Sequence, residues 1–178
     1  MCMDRYIMTS SKLIRRMFLI IFLIIFMAPF DPLYAIEKRV ALVIGNANYR
    51  TDPLLNPIND ANDMHNALIK CGFKVFKAID ADRARMRREI RRFGDSLLKY
   101  DVGLFYYAGH GIQVDGENYL VPVGTSVHRG DEIIDECLRV SSVLRKMKTA
   151  KNRINIIILD ACRDNPFKKL YRALRYSQ

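Results

Sequence analysis

Residues 102–111 read VGLFYYAGHG, and residues 154–164 read INIIILDACRD. In each stretch, a run of apolar, β-prone residues leads into turn residues and one reactive side chain. Apolar runs of this length, bounded by Gly and Asp, are typical of buried strands in a parallel sheet. His110 and Cys162 therefore each follow the carboxyl end of a strand, which is where sites form in open α/β sheets.

Outward from these two runs, strand and helix patterns alternate along the chain. Strand patterns occupy residues 39–45 and 73–78, helix patterns occupy residues 60–72, 82–99 and about 140–149, and a turn signal at Asp115–Gly116 predicts a small hairpin within residues 113–123. Alternating strands and helices imply right-handed crossovers, so we expect an α/β fold, a three-layer α-β-α sandwich around a mainly parallel sheet. A chain of 178 residues supports one such domain with a sizeable core.

The formal net charge is +10, and the basic run at residues 83–92 reads RARMRREIRR. Runs of this kind occur at surfaces that bind nucleic acid or anionic membranes. Met86 and Ile90, however, recur within it at helical spacing, which is typical of an amphipathic helix with a solvated basic face. Because no aromatic-rich basic motif or zinc-ligand spacing accompanies the run, we expect no nucleic-acid partner.

The first 35 residues have the pattern of a secretory signal. An apolar run over residues 17–28 follows the basic residues Lys12, Arg15 and Arg16, and the small residue Ala35 ends the segment. We therefore divide the chain into a signal at residues 1–35 and one domain at residues 36–178. This division predicts an exported protein, periplasmic or secreted, that touches the membrane only through its signal. The alternative is a membrane anchor that is not cleaved.

Beyond the signal, the chain has three cysteines, Cys71, Cys137 and Cys162. Export permits a disulfide, but an odd number leaves at least one thiol free. Cys71 precedes Gly72 at the end of a helix pattern and is expected to be a small buried residue, whereas the sequence decides nothing about Cys137. The His and Cys residues show no paired ligand spacing, so no metal site is predicted.

A cysteine and a histidine at strand ends are typical of nucleophilic catalysis. A free cysteine is mostly protonated near neutral pH, and an imidazole can accept its proton and later deliver it to a leaving amine. Glycines flank His110, and the backbone amides of Gly111 and Cys162 are candidates for binding a developing oxyanion. Together these features describe acyl transfer through a thioester. Taken singly, each residue also has a structural interpretation, His110 as a helix cap and Cys162 as a packing residue.

Four motifs extend this pattern along the chain. They are RVALVIGNANY at residues 39–49, LNPINDA at residues 55–61, YYAGHG with DGENYLVPV within residues 106–123, and LDACRDNPF at residues 159–167. In this order they closely resemble the caspase-like cysteine peptidase family, specifically its bacterial metacaspase-like members, or orthocaspases. The resemblance covers residues 38–167 and implies the caspase-hemoglobinase-like form of the three-layer α/β fold.

The resemblance implies a cysteine endopeptidase with a His–Cys dyad, in which His110 is the general base and Cys162 the nucleophile. Metacaspases cut after Arg or Lys, and an acidic pocket receives the basic side chain. Asp60 and Asp160 stand at the matching positions, so the expected substrate is a peptide or protein with a basic residue before the cut bond. The alternatives are that Asp60 is a helix N-cap and that Asp160 supports the cysteine loop.

One departure from the family pattern concerns calcium, which some metacaspases require. Acidic residues cluster at residues 131–136, but Gly124 stands where the common family string has Asp. We therefore expect a solvated acidic turn and no cofactor, with calcium activation as the alternative.

A second departure is length. Family members continue past the cysteine loop into the part that corresponds to the caspase small subunit, whereas this sequence ends 16 residues after Cys162. We expect a domain that lacks this part and leaves a free strand edge, which a partner supplying the missing strands would cover. The alternative function is a catalytically inactive caspase-like module with an interaction or regulatory role.

Export is testable directly. Amino-terminal sequencing of the mature protein is expected to begin near Ile36, because cleavage follows the small residue that ends the signal. An intact Met1 in a membrane fraction would instead identify residues 1–35 as an uncleaved anchor.

Overall fold

The computed structural model describes residues 37–127, 129 and 131–161. The predicted signal at residues 1–35 and the candidate nucleophile Cys162 lie outside these residues, so both stay predictions. Within the described residues, no helix is long and apolar enough to cross a membrane.

Seven strands and four helices are described. In chain order they are β1 (Arg39–Gly45), α1 (Pro57–Lys70), β2 (Phe73–Ile79), α2 (Arg83–Leu97), β3 (Val102–Ala108), β4 (Gly111–Val114), β5 (Glu117–Leu120), α3 (Glu132–Glu136), β6 (Leu138–Arg139), α4 (Val140–Ala150) and β7 (Ile154–Asp160). The strand and helix patterns of the sequence thus fall on real elements, including the hairpin of β4 and β5, whose turn residues Asp115 and Gly116 both have positive φ.

The main sheet is parallel, in the order β2-β1-β3-β7. All seven residues of β3 are buried because it has a strand on each side and helices on both faces. The helix α1 covers one face, where Leu68 packs in a cluster with Leu104. The helices α2 and α4 cover the other, where Phe93 and Met147 pack with Phe105. The predicted three-layer sandwich is therefore confirmed.

The helix α1 begins three residues before the predicted start. Pro57 stands in its first turn, where proline's fixed φ suits a helix and its missing N–H costs nothing. Asn56 is the N-cap residue, and the Asp60 backbone N–H donates to the Asn56 carbonyl as part of the first helical turn. The interpretation of Asp60 as the N-cap is therefore wrong, and its carboxylate is not used by the helix end.

A second, smaller sheet carries the chain away from the main one. It is antiparallel, in the order β4-β5-β6, and β6 was not predicted. The acidic segment before it was expected to be a solvated turn but forms α3, because the side chain of Ile133 is fully buried and anchors that segment to the core. The acidic composition of this segment gave no indication that Ile133 would be buried.

The two described cysteines are both free thiols with opposite environments. Cys71 is exposed, so the prediction of burial is wrong. It is the C-cap residue of α1, and its backbone carbonyl accepts a hydrogen bond from Arg39, at the start of β1. Cys137 is buried, and burial raises the pKa of its thiol to about 12, which leaves it protonated and unreactive at neutral pH.

The outer strand β7 exposes a row of apolar side chains. Ile154, Ile156 and Ile158 are all exposed, although residues of this type are usually buried. Ile156 and Ile158 pair in register with Leu104 and Tyr106, which pack toward α1. The row therefore continues the α1 face of the sheet beyond the area that α1 covers. The partner predicted to supply further strands would add beside this row, and it stays a prediction.

The close packing of β1 against α1 gives a test of the fold. A Cβ atom added at Gly45 would lie 2.5 Å from the Pro57 carbonyl oxygen and 2.6 Å from the Ala61 Cβ. We expect Gly45→Ala to lower the free energy of unfolding by ~1–3 kcal/mol, because the helix α1 must move away from the strand β1 to make room for the methyl group. At Gly94 in α2, the nearest atoms belong to the flexible Lys146 side chain, so Gly94→Ala should be neutral or stabilise by up to ~1 kcal/mol. Urea denaturation of both variants checks this; equal midpoints would contradict it.

Candidate active site

His110 lies where the chain leaves the parallel sheet. The strand β3 ends at Ala108 and β4 begins at Gly111, so Gly109 and His110 form a two-residue connection. His110 is 2% exposed. Its position at the carboxyl end of a central strand is the one that the sequence predicted.

Two buried tyrosines hold the backbone of His110. The Tyr49 hydroxyl accepts the His110 backbone N–H at 3.1 Å, and the Tyr107 hydroxyl donates to the His110 carbonyl at 2.8 Å. Both hydroxyls also lie 3.0 Å from the Val121 carbonyl oxygen. A Cβ atom on Gly109, whose φ is 154°, would lie 2.7 Å from each hydroxyl oxygen. Only glycine leaves room for this arrangement.

One contact orients the His110 ring. Its Nε2 atom lies 2.7 Å from the Asp52 carbonyl oxygen, and a carbonyl only accepts, so this contact assigns the proton to Nε2. The other ring nitrogen, Nδ1, then carries a lone pair. Among the described residues it has no hydrogen-bond partner, although it is buried. The ring is thus held in the tautomer that can accept a proton at Nδ1.

The end of β7 lies against the same connection. Ala108 pairs in register with Asp160, and the Gly109 backbone N–H donates to the Asp160 carbonyl at 3.3 Å. The structure therefore brings residues 108–110 and the end of β7 together at one edge of the sheet. Cys162 follows Asp160 by two residues and lies outside the described residues.

Asp60 and Asp160 act on one phenol. The Tyr106 hydroxyl donates to Asp160 Oδ2 at 3.2 Å. Burial, then the charge and hydrogen bond of Asp160 and, more weakly, the charge of Asp60 together raise the pKa of Tyr106 to about 12. Both carboxylates therefore lie on the α1 side of the sheet, around Tyr106. Neither forms an ion pair with any residue that the structure describes, so no cation in that part of the chain neutralises this acidic pair.

The backbone amide of Gly111 points away from the hairpin. In an antiparallel pair, hydrogen-bonded and non-hydrogen-bonded residue pairs alternate. Since the Val121 N–H donates to the His110 carbonyl, the next pair, Gly111 with Leu120, is of the second kind. A cleft of about 130 Å³ adjoins this position and is also lined by Ala161, the residue before Cys162.

Several residues that shape the site were not singled out in the sequence. Asn46 is fully buried, accepts the Ala81 backbone N–H at 2.9 Å and donates to the Val121 carbonyl at 3.2 Å. Asp80 accepts the Ala47 backbone N–H at 2.8 Å. These side chains tie the ends of β1, β2 and β5 together, and an Asn directly after a buried strand was the available signal. No sequence signal indicated the contact from Asp52 to the His110 ring, because this contact uses a backbone carbonyl.

The acidic residues at 131–136 do not converge. Arg129 pairs with Asp131 at 3.3 Å and its backbone N–H donates to Glu132. In the described part of the chain, no group of three or more His, Cys, Asp or Glu side chains has the arrangement of a metal site.

Comparison with known proteins identifies the family of this chain. The family model of the caspase domain matches residues 38–177. This chain belongs to the caspase family. The resemblance drawn from the motifs is confirmed at the level of this cysteine-peptidase family, while membership of the metacaspase-like group stays a prediction.

The family assignment is supported by a relative of known sequence. Over 129 residues the chain is 37% identical to the mucosa-associated lymphoid tissue lymphoma translocation protein 1 of Homo sapiens. The match covers 71% of this chain but 15% of that protein. The caspase-family chain thus spans a small part of this relative's length.

Solved structures agree on the fold. The Drosophila initiator caspase Dronc superposes with a TM-score of 0.53 at 10% identity, covering 74% of this chain and 53% of that one. A protein from Geobacter sulfurreducens gives a TM-score of 0.52 at 23% identity, covering 70% and 50%. The caspase-like α/β fold predicted from the sequence is therefore confirmed.

The buried tyrosines predict a loss of stability at alkaline pH. Burial raises the pKa of Tyr49 from 10.0 to about 12 and that of Tyr107 well above 10.0. The unfolded chain therefore loses the phenol protons at lower pH than the folded chain does. The contribution of the protonated tyrosines to the free energy of unfolding is complete below pH 10 and is lost as pH rises through about 12. Each pKa unit corresponds to about 1.4 kcal/mol per group. Melting temperature against pH should fall less steeply above pH 10 in Tyr49→Phe; an unchanged slope would contradict this origin.

Proposed function

We propose that this protein is a cysteine endopeptidase with His110 as general base and Cys162 as nucleophile. The observation that carries the proposal is the His110 ring, which Asp52 orients so that Nδ1 is buried, has no hydrogen-bond partner among the described residues and is able to accept a proton. The hydrogen bond from Gly109 to the Asp160 carbonyl supports the pairing, because Cys162 follows Asp160 by two residues in the sequence.

The reaction would begin with transfer of the thiol proton of Cys162 to Nδ1 of His110. The thiolate then attacks the peptide carbonyl carbon, a C–S bond forms, and the carbonyl electron pair moves onto oxygen. The outward N–H of Gly111 and the N–H of Cys162 would bind that oxyanion. Meanwhile the Asp52 carbonyl accepts the Nε2–H of the imidazolium and keeps the ring in place.

Collapse of this intermediate would cleave the peptide bond. The imidazolium gives its proton to the amide nitrogen, the C–N bond breaks, and the amine leaves while the acyl group stays on sulfur as a thioester. Water, losing a proton to Nδ1, attacks the thioester carbonyl. The C–S bond then breaks, the thiolate leaves, and the carboxylic acid product departs.

We further propose that Asp60 and Asp160 bind the basic side chain that precedes the cut bond. Two carboxylates that form no ion pair with the described residues offer a guanidinium or ammonium the charge that a closed pocket requires. The hydrogen bond from Tyr106 fixes one oxygen of Asp160 and leaves the other for the substrate. A substrate with Arg or Lys at this position is therefore favoured over one with an uncharged or acidic residue.

The dyad can be tested on the full chain with a fluorogenic peptide that ends in Arg. Cys162→Ala and His110→Ala are each expected to lower kcat at least ~10³-fold, because neither can form the thioester at a useful rate. Cys71→Ala is the matched control. Its backbone carbonyl bonds to Arg39 at the amino end of β1, whereas His110 follows the carboxyl end of β3, so turnover should persist.

Two results would count against the endopeptidase. Turnover that persists in Cys162→Ala would remove the nucleophile assignment. A folded wild-type chain with no turnover, and with Cys162 inert to iodoacetamide, would favour the alternative of a non-catalytic caspase-like module.

The acidic pocket predicts a specificity change. Asp60→Asn and Asp160→Asn should each lower kcat/KM for the Arg peptide by ~10–100-fold, since each removes one charge-assisted contact. Both should have a much smaller effect on a peptide with an uncharged residue at that position. Asp63→Asn is the control because Asp63 is an exposed residue of the same helix, α1. Equal losses on both peptides would assign the two carboxylates a structural role instead.

A further inference from the structure

A second cavity lies on the opposite side of the main sheet from α1. Its volume is about 340 Å³, and it lies between α2, the segment from Ile134 to Arg139, and the start of α4. Five cationic side chains line it: Arg83, Arg87 and Arg91 from α2, Arg139 from β6, and Lys146 from α4. The one carboxylate in its lining is Asp135. The cavity therefore has a strong excess of positive charge.

The three arginines of α2 are arranged at a cost to the helix. Arg83, Arg87 and Arg91 are spaced four residues apart, so their side chains follow one another along a single face. Like charges at this spacing repel, and a cation in the first turn opposes the helix dipole. The core does not require these arginines, because α2 is anchored by other residues, such as Met86 and Phe93.

None of the five cations is neutralised by the residues that the structure describes. The α2 residue Glu89 pairs instead with Arg88 and Arg92, which do not line the cavity. The guanidinium of Arg139 lies 5.7 Å from the centre of the Tyr119 ring, which positions it without cancelling its charge. A set of converging cations, fixed on three elements and left unpaired, is suited to an anion with several negative groups.

We propose that this cavity binds a compact polyphosphate anion. Guanidinium groups bind phosphate oxygens in pairs, and the volume lies in the range of small-molecule sites. A nucleic-acid strand fits less well, because the residues lining the cavity include no aromatic ring on which a base can stack. The site uses none of the residues assigned to peptide cleavage, so it stands or falls separately from the proposed endopeptidase.

The test measures binding of sodium tripolyphosphate to the full chain by isothermal titration calorimetry at constant ionic strength. Arg87→Gln with Arg91→Gln is expected to weaken binding at least about tenfold, because two charge-assisted contacts are lost. The matched control is Arg88→Gln with Arg92→Gln, which removes the same charge from the same helix outside the cavity. It should bind within about twofold of the wild type.

Hydrogen–deuterium exchange locates the site independently of any substitution. Tripolyphosphate should slow exchange in the first half of α2 and in residues 135–142, and it should leave α1 unchanged. The same protection is expected with a nucleoside triphosphate, since the cavity is proposed to bind the phosphate groups.

Three outcomes would overturn the proposal. Equal weakening in both double variants would indicate a diffuse charge effect, and sulfate binding as tightly as tripolyphosphate would indicate simple screening. A single-stranded oligonucleotide that binds more tightly than tripolyphosphate, and that is weakened equally in both double variants, would identify a nucleic-acid surface instead.

Discussion

The parallel pairing of β3 with β7 places Ala108 opposite Asp160, and the geometry of the candidate site depends on it. Because side chains and loops at the carboxyl ends of neighbouring parallel strands share one edge, the loop that carries His110 and the chain that leads to Cys162 must leave the sheet side by side. The hydrogen bond from Gly109 to the Asp160 carbonyl fixes their separation further. The site is thus a property of strand order as much as of reactive residues.

Within this frame, backbone and ring of His110 are held by different groups. Tyr49 and Tyr107 hold the peptide units on either side of its Cα atom, while the Asp52 carbonyl holds the ring. Since the tyrosine hydroxyls are buried and bonded to backbone groups, they position His110 without competing for the lone pair of its ring. Glycine at position 109 is the condition for this, because both hydroxyls lie where a side chain would begin.

Much of the fold could be predicted because apolar periodicity and turn residues are local signals. Strands at 39–45, 73–78 and 102–107 were predicted to within a residue. The hairpin turn at Asp115–Gly116 was also predicted, although its strands occupy residues 111–120 and not 113–123. The errors arose where tertiary contacts determine the local structure or the exposure of a residue. Burial of Ile133 turns the predicted acidic turn into a helix, and Cys71 is exposed where burial was predicted. The contact from the Asp52 carbonyl could not be predicted, because every residue has a backbone carbonyl. His110 follows the end of β3, Asp60 lies in α1 and Asp160 ends β7. The roles that the motifs assign to them stay predictions, and Cys162 lies outside the described residues.

The β3–β7 pairing also joins residues that are far apart in the order of synthesis. Each residue of β3 pairs with one made 52 residues later, which is the separation of His110 from Cys162. Contacts of such long range form late in folding, because their loop-closure entropy must be met first. A growing or half-folded chain therefore holds His110 apart from the end of β7. The surroundings of His110 that depend on β7 form only when the sheet is complete, as a late step of folding.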